Sequence, residues 1–309
     1  MVKLYQRKRD VLRVGLALWP RILFPAKRQI IKSECGLVTV KDRYDDIVGE
    51  HETVVEPWVF MRVKNEGKTL RKSLETIEPI SKRGVIGYNE CTDDSEDIIL
   101  AWCKEHPGYI PFKYDYEIIP VNSEKYAKLR KGDEKHTLAG YYQAVLDLIP
   151  KDEWIIKVDG DHIHYPNIIK HALSLLRNER EWISFSRLNL IRVDGQYKVI
   201  SYVRPDDHYM IFNRGLNFVN VCGKKKDGSF FAHEALRCFG KGLGALPPPW
   251  KPECSNIHLP FEKSYRSAPF NATKLLNLDD FFNYCDVRQF SREFIEAVKR
   301  DTNLMLNKM

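Results

Sequence analysis

Several common signatures are missing from this chain. Its seven cysteines (Cys35, Cys91, Cys103, Cys222, Cys238, Cys254, Cys285) are odd in number, scattered, and never spaced as CxxC. That pattern excludes a disulfide framework and a zinc ribbon, and it fits a reducing cytosol. No apolar run is long enough to span a bilayer, and no repeat or low-complexity segment is visible. A large excess of one charge is also missing. The formal charge is +7, but nine basic residues and one acid lie between Met1 and Ser33. The remaining chain, from Glu34 onward, carries a net −1, which excludes a nucleic-acid-binding body.

What is present is ordinary for a globular protein: 309 residues, 43% hydrophobic and 29% charged. That length supports one large domain or two smaller ones, each with a real core. The basic arm also holds Val11, Leu12, Val14, Leu16, Ala17, Leu18 and Trp19. Arg13 and Arg21 interrupt this stretch, Pro20 and Pro25 break it, and no small-residue cleavage site follows. Two readings of the arm stand side by side. One is an interfacial segment on an anionic leaflet, the other a helix packed on the protein's own body.

From Pro57 the pattern alternates between strand and helix. Trp58–Val63 is a short apolar run of the kind a buried parallel strand presents. Leu70, Leu74 and Ile77 recur at helical spacing, and Val85–Tyr88 reads as a second strand. Ser95–His106 is a predicted helix with Asp94, Glu96 and Asp97 at its N-terminus, where the helix dipole favours acids. Tyr109–Ile119 contains an extended run, Thr137–Ile149 a helix stopped by Pro150, and Trp154–Val158 another strand. This order argues for an α/β fold, a mostly parallel sheet covered on both faces. A further helix follows Pro166 to about Arg177, and a hairpin from Asn189 to Val203 turns at Asp194-Gly195. Gly223–Gly228, with Lys224-Lys225-Lys226, and Gly240–Trp250 read as surface loops, and the last 35 residues as amphipathic helix with Phe290, Phe294 and Val298 on one stripe.

The sharpest local motif is Val158-Asp159-Gly160-Asp161-His162. In an extended segment residues i and i+2 point the same way, so Asp159 and Asp161 can aim at one object. Gly160 lets that object approach the backbone. Ligands of open α/β sheets bind beyond the carboxyl ends of the strands, where this motif lies. Two carboxylates there suit Mn²⁺ or Mg²⁺ shared with phosphate oxygens.

Three blocks are more specific than Asp-x-Asp: Pro57–Glu66, Arg83–Ser95 and Pro150–His162. They closely resemble the bacterial β-1,4-N-acetylgalactosaminyltransferases that build ganglioside-like lipooligosaccharides. The resemblance is strong from about residue 57 to 162 and continues, more weakly, to about 282. It implies a GT-A fold, a Rossmann-like mostly parallel sheet flanked by helices with a less regular acceptor-side half. It also implies a UDP-sugar donor, a divalent metal, and inversion at the anomeric carbon. The expected layout is a basic arm (1–56), a nucleotide-sugar half (57–177), an acceptor and catalytic-base half (178–270) and C-terminal helices (271–309).

Under that resemblance Arg62, Lys64, Asn65 and Glu66 border the nucleotide at the exit of the first strand. Asn89 and Asp93 lie in a stretch similar to the Asp-x-Ser-Thr-Asp-Gly loop placed beside uracil and ribose. Asn89 stands where an acid is frequent, and Asp94 where Gly is usual. Asn can still offer uracil a donor and an acceptor, while Asp93, Asp94 and Ser95 also read as helix caps. Single displacement needs a carboxylate base from the second half. Glu234, placed between an apolar run and a predicted helix, is preferred over Asp207. His258 is the expected late metal ligand beside Asp159 and Asp161, and Lys263 or Arg266 the expected cation on the diphosphate. His162 and His164 receive no role. The acceptor is a glycolipid or oligosaccharide of lipooligosaccharide or lipopolysaccharide, and the enzyme works as a peripheral protein on the cytoplasmic face of the inner membrane.

Rival readings are a transferase of N-acetylglucosamine or a plain hexose on the same fold, a haloacid-type phosphatase, and a non-catalytic membrane scaffold. The phosphatase requires Asp-x-Asp near the N-terminus and Thr or Val four residues after the first Asp. Here the motif is mid-chain and Ile163 holds that place. The scaffold has only the basic arm in its favour.

Overall fold

The computed structural model describes residues 29–32, 38–41, 56–121, 123–129, 132–174, 176, 179–203, 207–226, 228, 230–238, 241–242, 254–263, 275–284, 290 and 292–307. Nearly all of the basic arm, residues 204–206, most of the Gly240–Trp250 loop and Arg266 lie outside the described residues.

The strand–helix alternation is realised closely. β1 (Gln29–Lys32) and β2 (Val38–Lys41) precede β3 (Trp58–Val63), α1 (Gly67–Ile77), β4 (Gly84–Tyr88), α2 (Ser95–Glu105) and β5 (Tyr109–Lys113). The short α3 (Glu124–Ala127) and a 3-10 turn at Glu134–His136 lead to α4 (Leu138–Leu146), which Thr137 caps by accepting from the Gly140 amide. Then come β6 (Trp154–Asp159), β7 (His162–His164) and α5 (Pro166–Leu173), the last with Pro166 in its first turn. The second half is mostly strand: β8 (Glu181–Ser184), β9 (Arg187–Val193), β10 (Gln196–Val203), β11 (Tyr209–Phe212), β12 (Leu216–Lys224), β13 (Phe230–Cys238), β14 (Lys241–Gly242), β15 (Asn256–His258) and β16 (Leu276–Asn277). α6 (Leu278–Tyr284) and α7 (Arg292–Asn307) end the chain.

Among the described residues the main sheet runs β1-β2-β8-β11-β6-β3-β4-β5. Its heart, β6-β3-β4-β5, is parallel, with antiparallel β11 beside β6. β8 and β11, from the part of the chain after residue 177, thus pair into the same sheet as the nucleotide-side strands. Alternation divides each strand between two cores. Val59, Met61, Val63, Ile156 and Val158 pack with α1, α2 and α5 through Leu70, Leu74, Ile99, Trp102 and Ile169. Phe60, Val85 and Ile155 face α4 and β12 through Tyr141, Tyr142, Val145, Leu146 and Phe218.

A second sheet, β16-β10-β9-β15-β7, forms a third core with the C-terminal helices. Phe290, Phe294 and Val298 are buried there, as their spacing predicts. The Asp194-Gly195 hairpin is also present, with both residues at positive φ (52° and 74°).

One expectation is overturned. The segment around Glu234 is not the start of a helix. β12 and β13 form a nine-residue antiparallel pairing from Leu216↔Cys238 to Lys224↔Phe230, with β14 added at its edge. The predicted loop at Gly223–Gly228 shrinks to the turn between them, where Lys225 and Lys226 are exposed. The competing signal was non-local: a strand partner takes the backbone hydrogen bonds that a helix would have closed locally.

Candidate active site

The same alternation gathers charge at the carboxyl end of β6. Ile156 and Val158 point into the helix-covered core, so Lys157 and Asp159 point to the opposite face. Arg62, one residue after the core-facing Met61, shares that face and pairs with Asp159 in register. Arg62 Nη2 lies 3.6 Å from Asp159 Oδ1, and its guanidinium covers the Tyr142 ring at 3.6 Å and hydrogen-bonds the Tyr142 hydroxyl. Buried Lys157 sits 3.7 Å from Asp159 and 3.1 Å from Asp207. Burial works against its ammonium, but the two carboxylates outweigh burial and raise its pKa. His208, brought in by β11 beside β6, places Nε2 at 3.2 Å from Asp159 Oδ2. Burial likewise opposes the Asp159 charge, and Lys157, His208 and Arg62 hold its pKa well below the ordinary value.

Asp161 lies around the turn from Asp159, before β7, and is 1% exposed. β15 pairs antiparallel with β7 so that His258 stands opposite His162. His258 Nε2 is 3.1 Å from Asp161 Oδ2. Lys263 Nζ reaches the same oxygen at 2.9 Å and Glu66 Oε1 at 2.6 Å. Burial disfavours the Asp161 charge, and His258 and Lys263 overcome it, so its pKa is lowered. Glu66 goes the other way: burial, against the pull of Lys263 and helped by Asp161, pushes it up to about 8. Gly160 leaves room for the end of the Glu66 side chain. A Cβ there would fall 2.3 Å from Glu66 Oε2. Helix α1 braces this turn from below, Thr69 donating to Gly160 O at 3.0 Å and Ser73 to Asp159 O at 3.2 Å.

This donor set fits a divalent cation. Asp161, His162 and His258 form one group, and Asp159, His162 and His208 another, with the ligand atoms of each group within 4.8 Å of one another. Asp159 Oδ1 and Glu66 Oε2 are buried and accept no hydrogen bond among the described residues. Asp159, which stays ionised, is the one whose unbonded oxygen suits a positive ligand. The structure therefore brings together Arg62, Glu66, Asp159, Asp161, His258 and Lys263 from the sequence reading. It adds His162 and His208, which that reading left without a role. Their only sequence signal was proximity, His162 following Asp161 directly and His208 following Asp207.

Other residues meet different partners. Asn65, at φ 53°, clamps the neighbouring loop: its Oδ1 accepts from the Thr92 amide at 2.7 Å and its Nδ2 donates to Thr92 Oγ1. Lys64 pairs with Glu90 at the surface at 2.8 Å. Asp93 accepts from the Gly67 amide at 2.9 Å and the Ser95 amide at 3.0 Å, tying together the starts of α1 and α2. Asp93 thus satisfies the first amide of each helix, while Asp94, at the N-cap position itself, makes no side-chain cap. Asn89 is 1% exposed, and its Nδ2 donates to the carbonyls of Tyr114 and Tyr116. Both amide hydrogens are therefore spent on the protein, so in this structure Asn89 offers no donor to a base.

The two candidate bases also differ. Asp207 bonds Lys157 and Arg187, and these cations outweigh its partial burial and lower its pKa. A carboxylate so held is a weak proton acceptor. Glu234 lies in mid-strand opposite Asn220, on the same side of β13 as Leu236 and Cys238, which pack in the α4 core. Alternation along β13 therefore turns Glu234 toward the core that holds Tyr142 of α4.

The family model described as beta-1,4-N-acetylgalactosaminyltransferase (CgtA) matches residues 30–304. The chain belongs to that family. It is accordingly a glycosyltransferase, and the resemblance carried by the three blocks extends over nearly the whole chain. No curated protein matches it. Among solved structures, glucosyl-3-phosphoglycerate synthase from Mycobacterium tuberculosis, in complex with Mg²⁺ and uridine diphosphate, is 16% identical, with 45% of this chain and 44% of that one covered and a TM-score of 0.28. The mannosyltransferase PcManGT from Pyrobaculum calidifontis, in complex with GDP-Man and Mn²⁺, is 13% identical over 59% of this chain and 43% of that one, with a TM-score of 0.33. The matched region spans less than half the length of either protein, and such low likeness carries no inference about this CgtA-family chain.

Proposed function

We propose that this protein is an inverting, metal-dependent transferase of the GT-A type. It moves N-acetylgalactosamine from a UDP-sugar to a glycan acceptor of lipooligosaccharide or lipopolysaccharide. The observation that carries the reading is the buried Asp161 with His258 at 3.1 Å and Lys263 at 2.9 Å. The site lies beyond the carboxyl end of a parallel strand, in a chain of this family. Residues 57–177 supply the donor side and 178–270 the acceptor side.

Asp161 and His258, with Asp159, would hold a cation, Mn²⁺ or Mg²⁺, which would supply positive charge against the departing diphosphate. Arg62 and Lys157 keep Asp159 ionised. Lys263, released from one of its two carboxylates, is placed to neutralise phosphate. Lys64, Asn65, Glu66 and Asp93 shape the nucleotide edge, with Asn65 and Asp93 acting through the loop they hold. Glu234 takes the proton of the acceptor hydroxyl as that oxygen attacks the sugar C1 and the C1–O bond to UDP breaks on the opposite face.

The test is slow hydrolysis of a panel of UDP-sugars by the purified protein with Mn²⁺. Hydrolysis of UDP-N-acetylgalactosamine that is lost in Asp161→Ala, with unchanged circular dichroism, is the expected result. Full turnover by a folded Asp161→Ala protein would overturn the metal site. Preference for another UDP-sugar would overturn the donor.

The basic arm is proposed to hold the enzyme at the cytoplasmic face of the membrane, at about 1 kcal/mol per basic residue near an anionic surface. Among the described residues no helix is long and apolar enough to cross a membrane. A protein lacking residues 1–33 should fail to sediment with anionic vesicles while still turning over a soluble acceptor. Continued sedimentation would refute the arm's role.

A further inference from the structure

His162 has no task in the proposal above, yet its imidazole is positioned with care. It is 1% exposed. The side-chain amide of Asn256 donates through Nδ2 to Ser186 O at 3.3 Å and to Ser255 Oγ at 3.1 Å, which turns Oδ1 toward His162. His162 Nδ1 lies 2.6 Å from that oxygen, so Nδ1 carries the hydrogen and donates it. Nε2 then presents its lone pair, and it faces Asp161 Oδ1 at 3.7 Å. A lone pair and a carboxylate oxygen repel, and the distance is too long for a direct hydrogen bond.

His258 repeats the arrangement. Asn189 donates through Nδ2 to Ser201 Oγ at 2.9 Å, and its Oδ1 accepts from Arg187 Nε at 3.1 Å. That same Oδ1 lies 2.8 Å from His258 Nδ1, which leaves Nε2 toward Asp161 Oδ2. The two rings stack with centroids 4.2 Å apart at 15°. Two imidazoles, each backed by an asparagine carbonyl, thus aim Nε2 at different oxygens of one buried carboxylate. A hydrogen bond on the far ring nitrogen is the usual way a protein orients a metal-bound histidine.

Resting on the metal-dependent reading, we propose that His162 Nε2 is a metal ligand beside Asp161 and His258. The cation site then offers two imidazoles beside its carboxylates, a set that selects a first-row transition ion over Mg²⁺. Imidazole nitrogen suits first-row ions such as Fe²⁺, Co²⁺ and Zn²⁺ best and Mn²⁺ least among them, whereas Mg²⁺ keeps to oxygen donors and holds its waters. Asn256 is a positioning residue: it sets the tautomer that makes Nε2 available.

Pulsed electron paramagnetic resonance on the full chain with Mn²⁺ alone counts coordinated nitrogens directly. Two are expected in the wild type and one in His162→Ala. Asn256→Leu should weaken Mn²⁺ binding by about 10- to 100-fold. Mg²⁺ should displace Mn²⁺ from the wild type only in large excess, and more readily from His162→Ala. A single nitrogen in the wild type overturns the inference and leaves the metal reading intact. No Mn²⁺ binding at all overturns both. Should His162→Ala fail to fold, the wild-type nitrogen count decides by itself.

Discussion

Lys263→Met isolates the electrostatics of the site from its chemistry. The Lys263 ammonium lies 2.6 Å from Glu66 Oε1 and 2.9 Å from Asp161 Oδ2, and all three side chains are at least nine-tenths buried. At an effective dielectric constant of about 20, the contact with ionised Asp161 carries about 6 kcal/mol of gross attraction, offset by the cost of burying the ammonium, and Glu66 adds a comparable attraction only above about pH 8. Breaking a buried pair from one side costs about 3–5 kcal/mol net. Glu66 limits that loss, because its pKa stands near 8 and at neutral pH it is mostly protonated before the partner is removed. The expected cost is therefore at the lower end, about 3 kcal/mol, or roughly 5 °C in Tm for a chain of this size. A divalent cation should restore part of it. Mn²⁺ at about 100 times its dissociation constant adds about 2.7 kcal/mol to any form that binds it. The variant, freed of a competing ammonium, should gain at least as much as the wild type. Scanning calorimetry of both proteins in EDTA and in Mn²⁺ measures these terms. Equal Tm values in EDTA would show that Lys263 does not hold the two carboxylates. A variant that gains nothing from Mn²⁺ would remove the cation from this site.

Three further outcomes are expected. Glu234→Gln should lower kcat by about 10²- to 10⁴-fold with donor binding unchanged by calorimetry, and normal transfer would return the base to Asp207. Gly84→Ala should destabilise by more than about 1 kcal/mol in denaturant titration, because its Cβ would fall 2.7 Å from Val59 O in the neighbouring strand. Cys103, buried with its thiol pushed up to about 11, should resist iodoacetamide at pH 8 while exposed Cys222 reacts, as read by peptide mass spectrometry. Its thiolate fraction grows only as pH approaches that value, so early labelling of Cys103 would show that the α2 core opens.

The legible parts of the fold were those whose signal is local. β3, β4 and β6 are buried on both faces, so each reads as a short apolar run between turn residues, and the Asp194-Gly195 hairpin announces itself by two residues suited to positive φ. The β12–β13 hairpin was not legible. Its strands carry mixed burial, and its pairing joins residues such as Leu216 and Cys238, whose contact no local pattern records. Within the site, Asp159 and Asp161 were legible because a buried strand leads straight into them. His208 was not, because only the β11–β6 pairing sets it against Asp159. The opposite lesson comes from Asn89: its motif pointed to the nucleotide, and tertiary packing spends its amide hydrogens on the carbonyls of Tyr114 and Tyr116.

By itself, then, the sequence determined the alternating α/β framework, the family, and the position of an acidic strand exit. These follow from periodicity, burial and long matched blocks, all of which are properties of neighbouring residues. Tertiary structure alone decided which charges meet. It set Lys263 between Glu66 and Asp161, clamped Asp207 between Lys157 and Arg187, placed Glu234 on a strand rather than a helix, and aimed two imidazoles at one carboxylate. The physical reason is that electrostatic partnership depends on distances of a few ångströms across strands remote in sequence. Those distances are set by sheet order and register.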